Sequence, residues 1–154
     1  RMRWTILTIA SVLALAYVMN FSGQTVAMGT FLAGLGTIYA VLAPVLGWIG
    51  TAVTGSDTSA NALFSKLQVS AAENLQHAGV SGATPELMLA ANTTGGVVGK
   101  MISPQSLAIA ATSVDMEGKE SEILKAVVPW SFAMLVVVCL LVFLQTNILS
   151  FLVP

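Results

Sequence analysis

Charge is what this chain has least of. Of its 154 residues only 8% are Asp, Glu, Lys or Arg, against roughly 25% in ordinary soluble domains. Trp4 to Ser56 and Ala126 to Pro154 contain none. A membrane-spanning helix needs about 20 apolar residues, so the first stretch is long enough to cross about twice and the second once. The net charge is −1 and the basic residues form no block, which excludes the electrostatic footprint of a nucleic-acid binder. The one cysteine, Cys139, lies in an apolar run and excludes an intramolecular disulfide. A single histidine, His77, leaves neither a Cys/His metal cluster nor a Ser/His/Asp set, and there is no phosphate-binding glycine fingerprint. No enzyme activity and no cofactor is expected. No basic n-region with a cleavage site precedes the first apolar run, so a signal peptide is not expected either.

What is present is apolar: 56% of the residues are hydrophobic. In a bilayer every backbone polar group must be satisfied internally, and with little β-signal the spanning elements are helices. The expectation is an all-α membrane protein forming one transmembrane unit over 1–154. Residues 4–21 read as one crossing, ended by the turn chemistry of Asn20 and Gly23. Residues 24–43 read as a second, with Gly29, Ala33, Gly36, Ala40, Ala43 and Gly47 lining small side chains on one face, where another helix can approach closely.

From Pro44 the pattern changes. "PVLGWIGTAVT" is too short to cross, "GSDTSAN" is polar, and "ALFSKLQVSAAENLQ" is short and amphipathic, so 44–76 reads as a re-entrant helical hairpin with 55–61 as its tip. Thr84 as N-cap, Pro85 at the first helical position and Glu86 in the first turn start the next helix. That crossing, 85–114, reads as broken twice: at "NTTGG" and again around Pro104. Residues 115–125, the charge-dense stretch, read as a solvated loop before a last span over 127–153. In this arrangement Arg1 and Arg3 lie opposite Lys119 and Lys125, so the positive-inside rule sets no orientation.

Two interrupted polar segments close in sequence point to one shared site, because irregular backbone at membrane depth must be buried in protein or face a water-filled cavity. The hairpin tip supplies Ser56, Thr58, Ser59 and Asn61. The broken helix supplies Asn92, Thr93, Thr94, Ser103, Gln105 and Ser106, with Lys100 between its two breaks. Half-helix N-termini offer N–H groups to an anion, and hydroxyl and amide side chains complete the hydrogen bonding. Asp57 and Lys100 stand out, since an ionisable group at the bilayer centre costs roughly 2.5–3.5 kcal/mol and normally faces a cavity or a partner. A carboxylate becomes easier to protonate as it loses water, which makes Asp57 the candidate proton carrier. The plainer alternative is that Asp57 caps the return arm of the hairpin and Lys100 snorkels to an interface.

"GWIGTAVTGSDTSANALF", "ANTTGGVVGKMISPQSLAIA" and the following "GKES" resemble the C-terminal part of the L-lactate permease family of bacterial secondary transporters. The resemblance implies a multi-pass plasma-membrane (inner-membrane) symporter that takes up lactate or glycolate with protons. It also implies a fold similar to the ion transporter superfamily, in which each inverted repeat holds a re-entrant hairpin and a broken helix. The partners expected are the lipid bilayer and the missing N-terminal half of the permease. Other readings of the same residues are a carrier for another organic anion and a non-transporting helical membrane subunit.

Overall fold

The computed structural model describes residues 2–80 and 82–152, so Arg1 and Val153, named above, lie outside the described residues. Among those described there are seven α-helices and no strand: α1 (Met2–Phe21), α2 (Gln24–Ala33), α3 (Thr37–Thr54), α4 (Asp57–His77), α5 (Pro85–Lys100), α6 (Pro104–Ser113) and α7 (Glu120–Asn147), closed by a short 3-10 turn at Ser150–Leu152. α3 and α7 are each long and apolar enough to cross a bilayer. Ala10–Phe21 with Gln24–Ala33, bent by 72°, adds a third candidate if the pair is one span.

The expected single helix over 24–43 is two helices. Gly36 has φ +59, a backbone conformation that glycine adopts without steric cost, and it lets the chain turn between α2 and α3. α3 then runs through Pro44, which sits inside the helix instead of opening a new one. The stripe of small residues is divided accordingly. On α2, Gly29 faces α4, where a Cβ would lie 2.9 Å from Ser70 Oγ. On α3, Ala40, Ala43 and Gly47 are buried.

The centre of the molecule is the α3–α5 pair, where backbone meets backbone. A Cβ on Gly47 would overlap the Asn92 carbonyl, one on Gly95 the Pro44 carbonyl, and one on Gly99 the Trp48 carbonyl. This explains why the expected break at "NTTGG" is absent and α5 is continuous through it. Each glycine costs a helix about 0.8–1 kcal/mol relative to alanine, and close packing against α3 offsets that cost. α4 covers the pair with Leu67, Ala71, Ala72 and Leu75, all buried against Tyr39, Met88 and their neighbours. Gly47→Ala is expected to destabilise the fold by about 1–3 kcal/mol, the usual cost of an added methyl in a filled interior. A thermal-unfolding scan of the detergent-solubilised protein checks this, and an unchanged midpoint would mean that the seam has room to spare.

One interruption does stand where it was expected, between α5 and α6, at Met101–Ser103. Beyond α6 the loop is shorter than expected. α7 already begins at Glu120, with Glu120 and Glu122 in its first turn, where the positive helix end favours carboxylates. α7 is pinned to the central pair by a buried Ser131, whose hydroxyl accepts from Trp48 Nε1 at 2.9 Å and donates to the Val98 carbonyl at 3.1 Å.

Candidate functional site

The hairpin tip is tighter than its polar composition suggests. Gly55, at φ +70, ends α3 by donating its N–H to the Thr51 carbonyl at 2.8 Å. Ser56 is extended and caps α4, its hydroxyl accepting from the Ser59 N–H at 3.3 Å. Only Gly55 and Ser56 lie between the helices, so Asp57, Thr58, Ser59 and Asn61 belong to the first turns of α4. Asp57 is therefore not the cap. It sits in the first turn of α4, where the helix dipole favours a negative charge.

Asp57 is held from three helices. Its Oδ2 accepts from Asn61 Nδ2 at 3.0 Å, and its Oδ1 lies 3.5 Å from the Thr51 hydroxyl. α5 contributes a gap: a Cβ on Gly96 would overlap Asp57 Oδ1. The carboxylate thus occupies space that only a glycine leaves open.

The second interruption meets the first. Lys100, the last residue of α5, donates from Nζ to the Gly55 carbonyl, which places it before the single break and not between two. Gln105 of α6 lies against the same glycine, where a Cβ on Gly55 would sit 2.7 Å from Gln105 Cδ. Ser103, fully buried, caps α6 by accepting from the Ser106 N–H at 3.4 Å, and its hydroxyl also bonds the Lys100 carbonyl at 2.9 Å. Ser106 Oγ lies 3.0 Å from Ser103 Oγ. The break between α5 and α6 therefore meets the Gly55–Ser56 turn, with Lys100 and Gln105 both against Gly55.

Behind Asp57 a chain of side chains runs through the interior. Asn92 Nδ2 donates to Asn61 Oδ1 at 2.7 Å, and the Thr93 hydroxyl donates to the same oxygen at 3.2 Å. Gln68 Nε2 donates to Asn92 Oδ1 and to the Ala43 carbonyl, each at 3.2 Å, and Gln68 Oε1 accepts from the Tyr39 hydroxyl at 2.6 Å. Among the described residues no buried side-chain polar atom lacks a partner. Sequence reasoning missed Tyr39, Thr51 and Gln68. A signal for Gln68 was available: Ala71, Ala72 and Leu75 follow it at helical spacing, which puts it on the apolar stripe of α4.

Some expected site residues lie elsewhere. Ser56, Thr58 and Ser59 face α1 across a cavity of about 220 Å³ that Val12, Leu13 and Ala62 also line. Thr94 turns away altogether. Its hydroxyl donates to the Ala90 carbonyl at 2.7 Å, and it lines a separate 110 Å³ cavity against Val138, Leu141 and Gln145 of α7.

The family model described as L-lactate permease matches residues 1–149. The chain is 46% identical over 149 residues, 97% of its length, to the L-lactate permease of Bacillus subtilis (strain 168), of which it covers 25%. It is 42% identical over 149 residues to the glycolate permease GlcA of Escherichia coli (strain K12) and 43% to the L-lactate permease of the same strain, again over 97% of this chain and 26% of each relative. The chain thus spans about a quarter of the length of the curated relatives it matches. No solved structure matches it.

Proposed function

Because the chain belongs to the L-lactate permease family, whose members are membrane transporters and not enzymes, we propose that it is the C-terminal part of a proton symporter for L-lactate or glycolate. Its place is the inner membrane of a bacterium, crossed several times. The observation that most supports this reading is the meeting of two helix interruptions around Gly55 and Lys100. An anion there finds a cation and the Gln105 N–H in the first turn of α6, the kind of arrangement that broken-helix transporters use for carboxylate substrates.

In this proposal Lys100 and the backbone around Ser103–Ser106, through the Gln105 N–H, hold the substrate carboxylate. Asn61 and Thr93, beside Asp57, offer hydrogen bonds to the rest of a small hydroxy acid, and Asp57 carries the proton. α3 and α4 form the re-entrant hairpin, its first arm beginning ahead of Pro44, and α5 with α6 the broken helix of one inverted repeat, with its counterpart in the remainder of the permease, as in the ion transporter superfamily. A site at such an interface is completed by both halves.

The full-length permease in proteoliposomes is expected to accumulate labelled L-lactate under an inward proton gradient. Unlabelled glycolate should compete, and collapse of the gradient by a protonophore should release the accumulated label. Accumulation that survives the protonophore would overturn proton coupling, and indifference to both hydroxy acids would overturn the substrate class.

A further inference from the structure

We propose that Tyr39, Gln68 and Asn92 are positioning residues that hold the Asn61 amide with its N–H toward Asp57, and so govern how readily Asp57 takes up a proton. The inference rests on the reading of Asp57 as the proton carrier. Its fixed point is the Ala43 carbonyl, a main-chain group that can only accept. Gln68 must therefore turn Nε2 toward it, at 3.2 Å, and Oε1 toward Tyr39, whose hydroxyl donates at 2.6 Å. The second proton of Gln68 Nε2 goes to Asn92 Oδ1, which leaves Asn92 Nδ2 facing Asn61 Oδ1 at 2.7 Å. Asn61 then has only its N–H to offer Asp57.

Every amide in the chain is thus oriented by the one before it. Gln68 and Asn92 are 0% exposed, so no bulk water substitutes for a missing partner. Reversing the chain would set Gln68 Oε1 against the Ala43 carbonyl and strand buried groups, the costly case for a polar network. The enforced polarity delivers a donor to the carboxylate and keeps the Asn61 oxygen turned away from it.

The other groups around Asp57 are few. α3 brings the Thr51 hydroxyl and α5 brings Gly96. The Lys100 ammonium is the nearby charge, held on the Gly55 carbonyl. α6 brings the uncharged Gln105 to Gly55, and α1 brings the apolar Val12 and Leu13 to Ser56.

Gln68→Met in the full-length permease keeps length and bulk while removing the donor that orients Asn92. The Asn61 oxygen then keeps only the Thr93 hydroxyl, which can accept as well as donate, and the amide can turn its oxygen to Asp57, which suits the protonated acid. The readout is the infrared carbonyl band of protonated Asp57, identified by its loss in Asp57→Asn, together with the pH profile of lactate uptake. Both midpoints should move up by about one pH unit, a tenfold change in proton affinity. Tyr39→Phe, a gentler change that serves if Gln68→Met does not fold, should move them the same way by less. Uptake reduced equally at all pH values, with the band midpoint unmoved in the variants that fold, overturns the inference and leaves the chain a packing device. If Asp57→Asn retains the wild-type pH dependence of uptake, the coupling role of Asp57 fails, and the band midpoint still decides whether the chain orients Asn61.

Discussion

Asp57→Asn is expected to abolish pH-driven accumulation of lactate by the full-length permease while leaving lactate/lactate exchange in proteoliposomes partly intact. A lactate anion moving inward against a negative-inside potential is opposed by about 2.3 kcal/mol per 100 mV, and one accompanying proton makes the step electroneutral. Asparagine has nearly the shape of aspartate, so it fits the space over Gly96 and keeps hydrogen-bonding capacity toward Asn61 and Thr51. It cannot take up the proton. Exchange moves no net proton and survives, whereas uphill uptake does not. An Asp57→Asn permease that accumulates lactate with wild-type pH dependence would remove Asp57 from the coupling step and return it to a structural place in the first turn of α4.

Lys100→Gln should weaken lactate binding about 10- to 100-fold, since a hydrogen bond to a charged group contributes roughly 1.5–3 kcal/mol and each 1.4 kcal/mol is tenfold in affinity. The ammonium has three donors, of which one goes to the Gly55 carbonyl. The others remain for a carboxylate. Glutamine can still reach a carbonyl but carries no charge, so the variant separates electrostatic binding from bracing of the hairpin tip. Isothermal titration of the purified full-length variant with L-lactate reads the difference. Unchanged affinity would assign Lys100 to the brace alone, and partial recovery in Lys100→Arg would confirm that the charge matters.

How much of this was legible depends on the kind of signal each residue carries. Thr84 and Pro85 announced the start of α5, and the Thr84 hydroxyl does accept from the Leu87 N–H at 3.2 Å. Ser103 and Pro104 likewise mark the start of α6. Capping is a local matter, written within a few residues. Gly95 and Gly96 misled because their helix-breaking tendency is also local, while what makes them necessary lies far off in sequence: the Pro44 carbonyl against Gly95, and the Asp57 carboxylate and Thr51 hydroxyl against Gly96. Gly36 worked the other way: inside a stripe of small residues it looked like packing, and its positive φ turns the chain instead. The polar tip 55–61 shrank to two residues because serine at the cap lets Asp57 to Asn61 enter the helix. The two-segment site was visible as composition. The chain behind it was not, since Tyr39 and Gln68 are isolated polar residues on α3 and α4 whose partners lie on each other's helix and on α5.

The glycine seam between α3 and α5 also determines which parts of this unit are able to slide. Gly47, Gly95 and Gly99 each sit against a carbonyl of the opposite helix, in both directions across the contact. If α3 slipped by one turn, about 5.4 Å, Ala43 or Thr51 would arrive where Gly47 now sits, and a Cβ would collide with the Asn92 carbonyl. The two helices are in effect keyed like a spline in a shaft, able to travel only together. Gly96 beneath Asp57 and Asn92 beneath Gln68 ride on the same key. In a mechanical cycle the pair is the frame, and the looser seam is the one between α1 and the start of α4, where a cavity separates Val12 and Leu13 from Ser59 and Ala62.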